Sequence, residues 1–166
     1  ISHHLSQINR YTGACRRPYS VAEHSLLVLE IVERCMPLDI HGRLAALMHD
    51  AHEAYTGDIP SPVKALLGKK EVEALQSELD SRIYAMLGLT DPSDDQHIAV
   101  KTCDWAALLI EAHYFGGDTL DLQHIDDKNW SDLDGDTQAN IYTIVRRACP
   151  EVSRRMRELG MTGMNS

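Results

Sequence analysis

Aromatic side chains are scarce in this chain: one Phe, two Trp and six Tyr among 166 residues, 5% of the total. Sheets draw on aromatic and β-branched residues. A core taken mostly from Leu, Ile, Val, Ala and Met, within a hydrophobic content of 43%, suits packed helices better. No apolar run approaches the roughly 20 residues of a membrane span. The opening ISHHLSQINR carries no apolar h-region and does not read as a signal peptide. The four cysteines, Cys15, Cys35, Cys103 and Cys149, are scattered without a CxxC pair. That spacing argues against a disulfide framework or a zinc knuckle, and favours small core residues in a reducing, cytoplasmic setting. A basic stretch is missing too, and the formal charge is −9. Duplex nucleic acid is bound mainly by neutralising phosphates with Lys and Arg, so stable nucleic-acid binding is not expected. A small anionic partner remains compatible, because it needs only a few local cations. With no repeat and no linker, residues 1–166 read as a single domain.

What the chain does have is HDAHEAYTGD, His49 to Asp58, directly after the apolar run GRLAALM. Read as one helix reaching to Gly57, this stretch places Asp50 and Glu53 on one face with His49 beside them. A His-Asp pair can hold a divalent cation, and a carboxylate one turn on can handle the proton of a water. An isolated HDxxE is more often a solvated helix face, so the surroundings decide. Upstream, SVAE reads as a capping box starting a helix at Ser20. Val21, His24, Val28, Ile31, Val32 and Cys35 then form one stripe, with His24 facing inward. Pro37 stops that helix and Asp39 is the expected N-cap of the next, whose core face is read as Leu44, Leu47, Met48, Ala51 and Ala54. A short connection makes the two helices neighbours, so His24 can meet His49 and Asp50.

Downstream, the prolines of DIPSPVK interrupt the helix, and Ser61 is the expected cap of a short one carrying Lys64. Lys69 to Leu87 reads as an amphipathic helix through Val72, Leu75, Leu79, Ile83 and Met86. From about His97 a further helix carries Ile98, Cys103, Trp105, Ala106, Leu109 and Ala112. Within it Asp104 is a carboxylate in an apolar setting, costly unless paired: a salt bridge on one reading, a further cation ligand on the other. DLDGD near residue 134 suggests a calcium loop but lacks the closing Glu of an EF-hand. A last substantial helix is expected from Thr137 to Cys149. The sum is an all-α domain, a helical bundle of about six to seven helices around a metal site. Mixed His and carboxylate ligands suit Zn²⁺, Mn²⁺, Co²⁺ or Fe²⁺ better than Mg²⁺.

His24, then His49-Asp50, then Asp104 on successive helices resemble the H…HD…D pattern of the HD-domain phosphohydrolases. SVAEHS and HDAHEAYTGDIPSPVK bring the resemblance closer, to the branch holding bacterial 5′-deoxynucleotidases and phage-type dATP triphosphohydrolases. The likeness runs from about Ile8 to Asp104. It implies one divalent metal held by His24, His49, Asp50 and Asp104, with Glu53 and Asp58 in catalysis. It implies substrate contacts from Arg10, Tyr11 and Lys64, with Arg16 or Arg17 able to share the role of Arg10. Tyr11 stands where related enzymes often have Trp. The expected activity is hydrolysis of 2′-deoxynucleotides, favoured as dATP to deoxynucleoside and triphosphate, with phosphate release from dNMPs as the alternative. A non-catalytic nucleotide-sensing module is the rival of another class. The absence of a GYP element sets the cyclic-dinucleotide phosphodiesterases apart. Such domains often form symmetric assemblies, so a homo-oligomer is expected by analogy.

Overall fold

The computed structural model describes residues 1–116 and 130–163. After a short α1 (Ser2–Leu5) and a tight turn over Arg10–Gly13 come α2 (Val21–Cys35), α3 (Ile40–Met48), α4 (Glu53–Thr56), α5 (Ser61–Leu67) and α6 (Lys69–Met86). They are followed by α7 (Asp94–Phe115), α8 (Gly135–Ala148) and α9 (Pro150–Glu158). No β-strand occurs among the described residues; pairing is limited to isolated bridges, Asn9 with Ser20 and Cys15 with Gly116. The architecture is all-α, as composition and periodicity predict. No described helix is long and apolar enough to cross a membrane.

Local signals set most helix ends. The Ser20 hydroxyl accepts the Glu23 N–H at 3.2 Å, and the Glu23 carboxylate accepts the Ser20 N–H at 2.9 Å. This is the capping box that SVAE predicts. The Asp39 carboxylate accepts the Gly42 N–H at 2.8 Å and opens α3. DLDGD is a helix cap rather than an ion loop: Asp134 accepts from the Thr137 N–H at 2.9 Å and its hydroxyl at 2.6 Å. Ser93 and Gln96 form a second capping box, which starts α7 at Asp94, three residues before the expected start. Ser61 does not cap α5. Pro60 occupies that position, and its extended backbone leads into the first turn without a side-chain bond.

α7 is the central helix, packed against α2, α3, α8 and α9. Val28, Ile31 and Val32 of α2 meet Cys103, Ala106 and Leu109 of α7, and Ile141 and Val145 of α8 close the core. Two expected faces are corrected here. α3 buries Gly42, Ala45 and Ala46, not Leu44, Leu47 and Met48. Its small residues let it lie close against α2 and α7. Ala51 is buried as expected. On α6 the inward residues are Val72, Gln76, Ile83 and Tyr84, while Leu75, Met86 and Leu87 are exposed. α6 packs mainly on α5 instead of entering the central core, so its apolar stripe is only partly used. Ile98 of α7 is likewise exposed. Trp130, the anchor expected near the acidic stretch, is buried. The remainder of that stretch, including Asn129 of the glycosylation-type triplet, lies outside the described residues.

The stretch His49 to Gly57 is not one continuous helix. α3 ends at Met48 and α4 begins at Glu53. Two side chains draw the backbone out of the helical ladder. His49 Nδ1 bonds the Ala46 carbonyl at 2.8 Å, the acceptor an unbroken helix would offer to the Asp50 N–H. The His52 N–H goes to the Asp80 carboxylate at 3.0 Å rather than back along the chain. Tighter bonds replace the ladder, from Ala51 to Met48 and from Glu53 to Asp50. Gly57 then ends α4 with φ of 71°, a conformation glycine adopts without steric cost.

Candidate metal centre and its cleft

Four side chains from two helices and one turn converge. His24 comes from α2, His49 and Asp50 from the turn after α3, and Asp104 from α7. The two histidine Nε2 atoms are 3.1 Å apart. His24 Nε2 lies 3.1 Å from Asp104 Oδ1 and 3.5 Å from Asp50 Oδ2. His49 Nε2 lies 3.2 Å from Asp50 Oδ2 and 3.8 Å from Asp104 Oδ1. Donors bound at about 2.0–2.2 Å around a tetrahedral zinc ion stand roughly 3.3–3.6 Å from one another; the separations here run from 3.1 to 3.8 Å, with His24, His49 and Asp104 forming one group of mutually close donors and Asp50 at its edge, beside His52 and Glu53. The short α2–α3 connection places His24 beside His49 and Asp50, and α7 brings Asp104 to the same place.

The tautomers give an independent test of the fit. The Ala46 carbonyl can only accept, so His49 Nδ1 carries the proton and Nε2 presents its lone pair when the ring is neutral. His24 Nδ1 faces the Glu111 carboxylate at 2.6 Å, which orients that ring the same way. Two lone pairs thus point at each other, flanked by two carboxylates. Only a cation or added protons can occupy such a point. Without a cation, protons are the answer: burial works against charging His24, but Glu111 pushes its pKa up to about 9. Burial likewise opposes ionisation of Asp104, yet Lys101, at 2.7 Å, and the histidines hold its carboxyl well below the usual range. The donor set therefore fits a divalent cation of the borderline class.

Glu111 is the residue that sequence reasoning missed. It is fully buried, bonded to His24 Nδ1 and to the Tyr11 hydroxyl, with Arg10 Nε at 3.3 Å. One signal could have found it: it stands seven residues after Asp104, two turns along the same face of α7. Arg10 also reaches Asp50, at 3.5 Å, so it is held between two carboxylates. Tyr11 is held at both ends. Its hydroxyl donates to Glu111, and its N–H donates to Asp58 at 2.9 Å. It sits in the left-handed region, φ 56°, followed by Thr12 at φ 53°. Non-glycine residues pay for that conformation, and here Asp58 and Glu111 hold it. Asp58 is thus placed as the anchor of the Arg10–Tyr11 turn.

Glu53 is buried at 4% exposure, and its Oε2 has no hydrogen-bond partner among the described residues. Burial, with Asp50 and Asp58 nearby, pushes its pKa up to about 9. A donor atom of Glu53 lies within 4.8 Å of one from Asp50 and one from His52. His52 is fixed by Asp80 of α6 through its N–H and through Nδ1 at 2.9 Å, a tie between the site and α6 that no sequence signal announces. A cleft of about 590 Å³ opens from His49, Asp50 and His52 towards Lys64, Gln76 and Tyr84 on one side and His97 and Lys101 on the other. Lys64 therefore lies along the same cleft as the cluster. Arg16 and Arg17 do not reach the cluster. Arg16 is exposed. Arg17 pairs with Glu23 at 3.0 Å and stacks over Phe115 at 4.3 Å.

Residues 3–100 match the family model of the HD domain. The chain belongs to the HD-domain family. It is 39% identical over 122 residues to an uncharacterized protein of Rhodobacter capsulatus, across 70% of this chain and 61% of that protein. It is 30% identical over 141 residues to the uncharacterized protein YfdR of Escherichia coli K12, across 85% of this chain and 69% of YfdR. The HD-domain chain thus spans between three fifths and seven tenths of these curated relatives. The cyanophage S-2L HD phosphohydrolase DatZ, solved with dA and one catalytic Zn²⁺, shares the fold with a TM-score of 0.59 and 21% identity over 95% of both chains. Asp104 and Glu111 lie beyond the family match, so their place in the site rests on the geometry above.

Proposed function

We propose that this chain is a metal-dependent phosphohydrolase of 2′-deoxynucleotides. The observation that carries the reading is the convergence of His24, His49, Asp50 and Asp104 at the head of a cleft, beside a buried Glu53 whose Oε2 has no hydrogen-bond partner among the described residues. These four residues would hold one divalent cation. When bound, the cation supplies Lewis acidity towards a phosphoryl oxygen and lowers the pKa of water. Glu53 has the surroundings of a general acid–base group: low solvent exposure and a pKa moved towards neutrality and above. Arg10, between Asp50 and Glu111, places fixed positive charge where negative charge grows during phosphate transfer. Glu111 sets the ring of His24 and the position of Arg10 together. Tyr11 and Asp58 shape the turn that delivers Arg10, which gives Asp58 a positioning part in the reaction. Arg16 and Arg17 stand further out, where they can attract an anionic substrate without touching the cluster.

The likeness to an enzyme solved with dA and zinc supports a deoxynucleotide as substrate and zinc as one suitable ion. Within that reading we favour the triphosphohydrolase reaction on dATP, because Lys64 and Lys101 line the cleft beyond the cluster and can meet a phosphate chain. Release of phosphate from dNMPs is the alternative. Self-association belongs to the same proposal: Leu66, Leu67 and Leu75 of α5 and α6 are exposed. The deciding experiment is a product assay with dATP, dGTP, dAMP and dGMP in Mn²⁺, Co²⁺, Zn²⁺ or Mg²⁺, resolved by ion exchange. Deoxynucleoside with intact triphosphate is expected. Orthophosphate from monophosphates alone would assign the nucleotidase. Saturable nucleotide binding without turnover under any metal would replace the enzyme with a nucleotide sensor.

A further inference from the structure

α6 carries one polar residue on its buried side. Gln76 is 7% exposed, lines the cleft, and its Nε2 has no hydrogen-bond partner among the described residues. Its Oε1 lies 3.5 Å from Lys64 Nζ. An ammonium has donors only, so this neighbour fixes the sense of the amide, oxygen towards Lys64 and nitrogen away. A buried NH₂ without an acceptor is costly to maintain, and a buried polar group left open in a cleft calls for a ligand atom. The two side chains together offer only N–H donors, one of them cationic. That chemistry selects an acceptor-rich anion. A base edge presents donors as well as acceptors and would ask for both. Of the carboxylates along this part of the cleft, Asp94 has no side-chain partner among the described residues, and the other three do. Asp80 holds His52 at 2.9 Å, Asp91 accepts from Ser81 at 3.2 Å, and Glu73 faces Lys69 at 3.8 Å.

We propose that Gln76 and Lys64 form a distal phosphate subsite, and that Gln76 is a specificity-determining residue selecting nucleotides with a phosphate chain over monophosphates. The proposal rests on the phosphohydrolase reading and extends it to a residue of α6. A phosphate remote from the scissile bond takes the free N–H groups of Gln76 and those Lys64 has left. The monophosphate ends short of them.

The test compares Gln76→Glu and Gln76→Leu with the unmodified protein. The first puts a repelling charge in the subsite, and the second removes its donors while leaving an apolar residue of similar size on a buried face. With dATP, KM should rise about tenfold or more in both variants, the worth of one lost bond to a charged group. kcat, bound metal and the constants for dAMP should stay within about twofold. Parallel shifts for dATP and dAMP, or no shift for either, would overturn the subsite. If the unmodified protein turns over neither nucleotide, the phosphohydrolase reading has failed. Calorimetry with Mg²⁺-tripolyphosphate against orthophosphate then decides the subsite separately. Tripolyphosphate binding lost in Gln76→Glu supports it; binding that is absent, or equal in the variant, overturns it.

Discussion

The cleft has two walls of different construction. One is the cluster wall, where α2, α7 and the turn after α3 are locked by mutually dependent contacts. His24 is held by Glu111, which also holds Tyr11, whose backbone is held by Asp58. The other wall is α6. It rests on α5, leaves Leu75, Met86 and Leu87 exposed, and is tied to the site through His52–Asp80 and Lys64–Gln76. A charged cluster in a low-dielectric setting needs every group positioned, because an unpaired one is expensive. A wall that meets a flexible phosphate chain needs only a few donors. In the proposed enzyme, chemistry would fall to the over-determined wall and substrate length to the lightly held one.

Damage to the cluster wall should be far the more severe. Asp50→Ala should remove bound metal and activity together, a loss of turnover on the order of a thousandfold or more. Metal analysis beside a rate assay checks this, and full metal content would dismiss Asp50 as a ligand. Glu53→Gln should keep the metal and lower turnover by about 10²–10⁴; a near-normal rate would take Glu53 out of the mechanism.

The same variant has a second readout in the chelated protein. The folded-state pKa of Glu53 is raised to about 9 from an ordinary value of 4.5. The folded chain therefore binds more protons than the unfolded one between those values, and stability falls as pH rises through them. Melting curves from pH 5 to 8 should show the unmodified protein losing stability relative to Glu53→Gln, and parallel curves would contradict this account of Glu53. Glu111→Ala should weaken metal binding about 10–100-fold by freeing the His24 ring. Competition with a chelating dye measures it, and an unchanged affinity would break the link between Glu111 and the cluster. On the other wall, Asp80→Asn should leave metal content intact and cost only about 1 kcal/mol in denaturant unfolding. Lost metal there would mean that the two walls are not separable.

Much of this was legible in the residues. SVAE set the start of α2, Pro37 and Asp39 set the α2–α3 connection, and the spacing of His24 and His49-Asp50 announced their meeting. The alternation of apolar residues is enough to call a helix, since it follows from the helical repeat alone. It is a weaker guide to which face is buried. α3 buries Gly42, Ala45 and Ala46 because a close approach between helices favours small residues over the larger Leu44 and Leu47. The break at His49–His52 was not legible either, because it comes from two side chains taking backbone partners, one of them Asp80, 28 residues away.

The sequence by itself determined an acidic, aromatic-poor, all-α chain with capped helices and a ligand-type HD pair, because capping, periodicity and composition act over a few residues. The tertiary structure alone decided that Glu111 and Arg10 meet at His24 and Asp50. It also decided that Tyr11 is held in a strained turn and that α6 brings Gln76 and Asp80 to the cleft. Those pairings join residues well apart in the chain, and only packing places them within bonding distance: that of α2, α3 and α7 for the cluster, and the seating of α6 beside α5 and the turn after α3 for the outer cleft.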